Sequence, residues 1–412
     1  MTAPGDGGPL SQLLRPEAVR ERAGELLALA QAGETQHFRV APERLADAAD
    51  LVAEVTRANY PDLHVPPHSR WRHFRLGARD LWSEVEAKTG TGDGDARARI
   101  RFELAIVSVL LDGGAGAEWR YLDRETGTCL ARSEGLAVAS LRMFASGGFS
   151  ATPSAAPLRA DAAALAALTA DALACHFQVT AKNPLLGLEA RARLLRALGR
   201  EIARQPDIFA AGEGCRLGGL YDRLKRSANG TLPAAEILLA ILATLNGVWP
   251  SGLRLDGVAL GDVGRHRLIR RDDATDGLVP FHKLSQWLAY SLVEPLADAG
   301  VPVTSLDQLT GLPEYRNGGL LIDTGVLAPR DQDAFAHRYE PTDELVVEWR
   351  ALTVALLDQI AELVRVRLGR SAEALPLAAI LEGGTWAAGR RLARARRDGR
   401  PPFDISSDGT IF

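Results

Sequence analysis

The run Thr342-Asp-Glu-Leu-Val-Val-Glu-Trp-Arg-Ala-Leu-Thr-Val-Ala-Leu-Leu-Asp-Gln-Ile-Ala-Glu-Leu-Val-Arg-Val-Arg-Leu368 decides the fold class. Thr342 is a good N-cap, Asp343 and Glu344 suit the positive end of a helix dipole, and Gly369 stops the run. Between these signals Leu345, Val346, Trp349, Leu352, Leu356, Leu357, Ile360, Leu363 and Val364 recur with helical period. A helix this long and this apolar belongs at the centre of a helical body.

Working outward, the same signals predict helices over Pro16–Ala32, Pro42–Asn59, Asp95–Leu111, Ser133–Ala145, Gly187–Arg204, Pro233–Leu245 and Val279–Ala299. The alanine-rich segment Leu158–Phe177 predicts another, because alanine loses little side-chain entropy in a helix. Strand signals are few and short, at Leu268–Ile269 and Gly319–Ile322. The expectation is a mainly α protein. The glycine, serine and proline of Gly147–Ala156 offer the one weak joint, separating residues 1–150 from 151–412 unless the chain is one continuous body.

The chain has 412 residues, a net charge of −4 and 46% hydrophobic residues, which is ordinary for a soluble globular protein and lacks the basic excess of a nucleic-acid binder. Three scattered cysteines suit a reducing compartment, and no basic and apolar leader opens the chain. The run Ala234–Val248 is too short to span a bilayer. A cytoplasmic protein with no membrane or nucleic-acid partner is expected.

Several constellations can carry chemistry. Within Leu309–Leu327, Glu314, Tyr315 and Arg316 precede the paired glycines Gly318 and Gly319, with Asp323 further on. They read either as a salt bridge beside a core tyrosine, or as a general base with an arginine for an acidic substrate group. His282 and Lys283 open a helix, where a lysine is poor for the dipole unless an anion is bound; simple exposure is the alternative. The glycine-rich connection Leu245–His266 mixes Trp249, Arg254, Asp256 and Asp262, as a ligand-approaching loop or as a turn with surface charges. Ser69–Phe74 sets Trp71 and His73 between arginines, for phosphate and base or for a surface cation–π pair. The motif Gly383-Gly-Thr-Trp-Ala-Ala-Gly-Arg390 offers backbone amides to an anion or small residues for close helix packing. At the far end, Phe403, Ile405, Ile411 and Phe412 make either a free tail or a strap over the body. No P-loop, dinucleotide fingerprint, nucleophile elbow or zinc-protease motif occurs, so no cofactor or metal is expected.

Taken together, the segments His37–Pro61 with Ser69–Phe74, Gly219–Leu224, Asn246–His266, Val279–Leu296, Leu309–Leu327, 382–390 and 407–412 resemble the uracil-catabolism family of fungi and bacteria. That resemblance implies a pyrimidine-degrading route in which uracil becomes its nucleotide before ring opening. It also implies a functional link to a uracil phosphoribosyltransferase and a cyclohydrolase-like ring-opening protein. The order of Phe281-x-Lys283-x-x-Gln286 before Leu309-Thr with Glu314-Tyr-Arg is similar, more distantly, to the queuosine-nucleotide salvage hydrolases, helical relatives of DNA glycosylases. On that pattern Lys283 stands at the phosphate lysine and Glu314 at a catalytic aspartate, although the acid here is glutamate and the following triplet differs.

The resemblance implies a glycosylase-like core with a helical N-terminal extension, and hydrolysis of the N-glycosidic bond in a ribosylurea 5′-phosphate or a related pyrimidine-derived nucleotide. Glu314 would stabilise oxocarbenium character, with Asp262, Asp323 or His73 serving the leaving group. Lys283 and Arg316 would hold the phosphate, and His282, Trp71, His73, Trp249, Arg254, Asp256 and Gly318 would line the substrate. An amidohydrolase or lyase acting on the opened ring, and a non-catalytic nucleotide-binding scaffold, are the rival readings.

Overall fold

A computed structural model describes residues 8–212, 214–249, 253–255 and 257–406. The chain is mainly helical, and each strand pairing among the described residues is two-stranded. It divides into two compact units. Among the described residues, the first combines 8–68, 253–255, 257–286 and 305–406; the second combines 69–212, 214–249 and 287–304. The stretch 147–156 lies inside the second unit.

In the first unit the helix Glu344–Leu368 is the centre, as its period requires. It packs on the helices Pro16–Gln31 and Leu45–Asn59. Val347, Ala351 and Val354 meet Val19, Ala23, Leu26, Ile269, Val279 and Phe281 in one buried cluster. Gly369 ends the long helix in the left-handed region at φ 62°. Two antiparallel pairings join distant segments, Phe38–Val40 with Leu327–Pro329 and Val263–Arg265 with Leu278–Pro280. Phe403 is fully buried, 5.0 Å from the Trp349 ring and 5.1 Å from Phe335, and Asp404–Ile405 pairs with Arg338–Tyr339. Residues 403–405 are therefore a strap, while Ile411 and Phe412 lie outside the described residues.

The helices Tyr315–Asp323 and Trp386–Arg397 pack closely because Gly389 carries no side chain. A Cβ there would lie 2.1 Å from the Arg316 carbonyl oxygen. Gly389→Ala must force these helices apart, and a loss of about 1–3 kcal/mol is expected in chemical denaturation. An unchanged midpoint would refute the contact.

The second unit is built around the helices Gly94–Leu110, Arg132–Ala145, Leu188–Ala203 and Ala234–Leu245. The alanine-rich segment departs from expectation, forming only Ala162–Ala166 and Ala170–His176. Its start is held extended: the Ala160 N–H donates to the buried Glu103 at 2.9 Å, and the Ala160 carbonyl accepts the Leu217 N–H. Its middle is broken where Arg196 takes the Leu168 carbonyl and the Thr169 hydroxyl caps a new helix by accepting the Ala172 N–H. Tertiary hydrogen bonds here override alanine's propensity.

Two other expectations need correction. Gly319–Ile322 is helical rather than extended, and the strand near Leu268–Ile269 lies instead at Val263–Arg265. The helix predicted from Val279 begins at Lys283, because Leu278–Pro280 is recruited as a strand and His282 turns the chain at φ 49°.

Candidate active site

Glu314 sits at the start of the helix Tyr315–Asp323 and caps it. Its Oε2 accepts the Arg316 N–H and its Oε1 the Asn317 N–H, each at 2.6 Å. The approach to this cap is fastened by the buried Gln286, whose Oε1 accepts the Thr310 N–H at 2.9 Å while its amide donates to the Thr310 hydroxyl. Asn317 adds a second tie, donating from Nδ2 to the Leu312 carbonyl at 3.0 Å. Glu314 is densely surrounded, and the residue as a whole is only partly exposed. Burial pushes its carboxyl above the ordinary range, against the opposing pull of the two peptide N–H groups and of the Lys283 and Arg316 charges. The result is a carboxylate locked in orientation and readily protonated.

Asp262 behaves differently. Arg350, from the central helix, donates to both its oxygens at 2.8 and 2.7 Å, and the Lys283 N–H donates to Oδ2 at 2.9 Å. Burial alone would raise its pKa, but the Arg350 guanidinium and the Lys283 N–H outweigh it and hold the group at about 2. The Asp262 carbonyl also accepts the Phe281 and His282 N–H groups. Asp262 thus caps the helix Lys283–Asp298 from a separate loop and sets Lys283 in place. With its carboxyl held that low, the Asp262 oxygens are committed to Arg350 and to the Lys283 N–H.

The remaining expected residues divide. His282 is buried, and its Nε2 donates to the Leu13 carbonyl at 2.9 Å; desolvation lowers its pKa and keeps it neutral. Lys283 is partly accessible, and its charge acts on both Glu314 and Asp262. Arg316 is buried, donates to the Gly399 carbonyl at 3.0 Å and lies over the Tyr315 ring, so its guanidinium is engaged within the protein. Gly318 is a packing position, since a Cβ would lie 2.6 Å from the Trp349 indole. Asp323 pairs with Arg397 at the opposite end of its helix, about 13.5 Å along the axis from Glu314 at 1.5 Å per residue. Arg254 is exposed in a short hairpin, bonded to the Gly257 carbonyl. Asp256 lies outside the described residues.

Trp71, His73 and Trp249 belong to the second unit. The Trp71 indole N–H donates to the Ser291 carbonyl, with Arg101 over its ring; His73 stands edge-on to Trp287; Trp249 is buried. The first unit therefore brings together Glu314, Lys283, Asp262 and His282, and does not bring Asp323 or Arg254 to them.

Sequence reasoning missed Arg350, Thr310 and Asn317 as parts of this arrangement. Arg350 left one signal: a charge one residue beyond Trp349, within the inward stripe of an otherwise apolar core helix. Gln286 was visible as the position one turn after His282 and Lys283, but its partner Thr310 was not. Among the described residues no three His, Cys, Asp or Glu side chains converge as a metal-holding group, and no helix is long and apolar enough to cross a membrane.

Residues 12–412 match a family model described as a protein of unknown function, DUF1688. The chain is 39% identical to Protein urg3 of Schizosaccharomyces pombe, over 98% of this chain and 99% of that protein. It is 34% identical to Uracil catabolism protein 4 of Lachancea kluyveri, with the same coverage of each.

Proposed function

This chain belongs to the DUF1688 family, and on that premise we propose that it acts in uracil breakdown by hydrolysing the N-glycosidic bond of a ribosylurea 5′-phosphate or a related pyrimidine-derived nucleotide. The name of the Lachancea relative supports the pathway. The observation that carries the reaction is Glu314: a carboxylate on a partly exposed residue, fixed by two peptide N–H groups and acted on by the Lys283 charge.

Breaking a ribosyl C–N bond places positive charge on C1′ and the ring oxygen, and a fixed carboxylate stabilises it without reorganising. Water adds to C1′, the bonding pair leaves with nitrogen, and one proton passes from the water side to the leaving group. Glu314 accepts the water proton in this scheme. Lys283 holds the phosphate as a point charge at a helix start, where Asp262 and Arg350 set its backbone. Arg316, engaged with Gly399, contributes its N–H to the Glu314 cap instead. The proposal places these residues in a core related to the DNA glycosylases, in a protein working beside a uracil phosphoribosyltransferase and a cyclohydrolase-like ring-opening protein.

The test is incubation of chelator-treated protein with ribosylurea 5′-phosphate and, separately, with UMP, assaying urea, uracil and ribose 5-phosphate. Urea with equimolar ribose 5-phosphate is expected from the first substrate. Ligand binding without sugar phosphate from either would sink the glycosidase reading and favour a scaffold. Lys283→Met is expected to raise KM about 10- to 100-fold for the phosphorylated substrate, with little effect on a dephosphorylated analogue.

A further inference from the structure

The helix Tyr315–Asp323 carries the Glu314 cap on its first turn and has only nine residues. A helix this short is marginal in water unless tertiary contacts hold it. Several of those contacts come from the far end of the described chain, residues 397–406, which the reaction outlined above does not use.

That end begins as a turn. Asp398, in the left-handed region at φ 51°, stops the helix Trp386–Arg397, and the Gly399 N–H donates back to the Ala393 carbonyl at 2.9 Å. Three grips on the short helix follow. Arg397 donates from Nη2 to Asp323 at 2.7 Å and from Nε to the Arg400 carbonyl at 3.2 Å, which ties the last residue of that helix to the turn. The Gly399 carbonyl accepts Arg316 Nη1 at 3.0 Å, which ties the first turn. Pro402 lies against the middle: a Cβ on Gly319 would be 3.5 Å from its Cδ, an ordinary contact distance.

A fourth grip passes through Trp349. The Phe403 ring lies 5.0 Å from the Trp349 ring, and the indole N–H donates to the Gly318 carbonyl at 3.2 Å. The Gly318 N–H in turn donates to the Glu314 carbonyl at 2.9 Å. Phe403 is itself fixed, fully buried against the Phe38, Phe335 and Trp349 rings. Beyond it the Ser406 N–H donates to the Tyr339 carbonyl at 2.7 Å. The strap is therefore anchored at both ends and bears on the short helix between them.

We propose that the strap 397–406 positions Glu314, with Phe403 as the residue that seats it. Seated, the strap holds the first turn so that the Arg316 and Asn317 N–H groups converge on the carboxylate. Unseated, that turn frays and the carboxylate loses its fixed direction. The strap residues are positioning residues. Their effect on turnover rests on the glycosidase reading; their hold on the cap does not.

Hydrogen exchange reads the cap directly, since the Arg316 and Asn317 amides donate to Glu314. Phe403→Ala is expected to speed exchange of both amides at least about tenfold more than exchange in 356–364 of the central helix. On ribosylurea 5′-phosphate its kcat should fall about 10- to 100-fold, with KM changed by no more than about threefold. Phe403→Leu, which refills most of the apolar space, should bring exchange and kcat back to within about threefold of the unmodified protein. If thermal melting shows Phe403→Ala to be unfolded, Pro401→Gly combined with Pro402→Gly decides. It loosens the strap with Phe403 retained, and both amides should exchange at least about threefold faster relative to the central helix. In a folded variant, acceleration no greater than in the central helix would show a merely structural strap and overturn the assignment. Faster exchange of both amides with unchanged kcat would overturn it too. No sugar phosphate from the unmodified protein would sink the glycosidase reading alone, and the exchange result would then decide the positioning of Glu314 by itself.

Discussion

Glu314→Gln is expected to lower turnover of ribosylurea 5′-phosphate by about 1,000-fold or more, with affinity for the substrate changed only a few-fold. The amide keeps the size of the side chain and one acceptor oxygen, but loses the negative charge and the basicity that the proposed reaction asks of Glu314. Because burial raises the Glu314 pKa, the working carboxylate is lost as pH falls through a value above the ordinary range of about 4.3. The acid limb of kcat/KM should lie there, and the variant's residual rate should not show it.

Stability should move little. An acid whose pKa is raised by folding favours the fold most at low pH, and that contribution fades as pH rises through the folded value. Its charge at neutral pH therefore weighs against the fold, and the amide relieves this. The loss of one charge-assisted cap bond opposes that gain by about 0.5–2 kcal/mol. A collapse of both activity and melting temperature would show a structural carboxylate and would remove Glu314 from the reaction.

Arg350→Met should do the reverse, acting first on the fold. It leaves Asp262 buried without its guanidinium, and a loss of about 3–5 kcal/mol is expected in chemical denaturation at pH 7. Asp262 has a depressed pKa, so its contribution is present above the unfolded value near 4 and is lost as pH falls toward about 2. From that shift the contribution is about 2 kcal/mol. Adding Asp262→Asn should recover a large part of the loss, since the second change removes the stranded charge; a coupling energy under about 0.5 kcal/mol would contradict the pairing. Stability of the unmodified protein should decline between pH 4 and 2 more steeply than that of the double variant.

The central helix was legible because its 25 residues repeat the same inward pattern over many turns. The helix after Glu314 was not. It has nine residues, and its Leu-Leu-Ile run has no period long enough to separate strand from helix. What settles the matter is the Glu314 carboxylate on two N–H groups, a contact that the same sequence also permits as a salt bridge. Glu314 and Lys283 stood out because charge beside apolar sequence asks for a partner. Asp262 stood out for the same reason, and its partner in fact comes from within the protein, at Arg350. The partition into units was illegible for a different reason: each unit is assembled from stretches far apart along the chain, so no single linker separates them.

That interleaving bears on how the protein is made. The strand Phe38–Val40 pairs with Leu327–Pro329, and the helix Pro16–Gln31 packs on Glu344–Leu368. At synthesis rates of about 5–20 residues per second, the first segments wait on the order of 15–60 s for these partners. During that interval their apolar faces have no native surface to cover them, so high contact order makes this unit slow to form. Newly made chains should therefore depend on chaperones, and an N-terminal fragment released early should aggregate rather than fold.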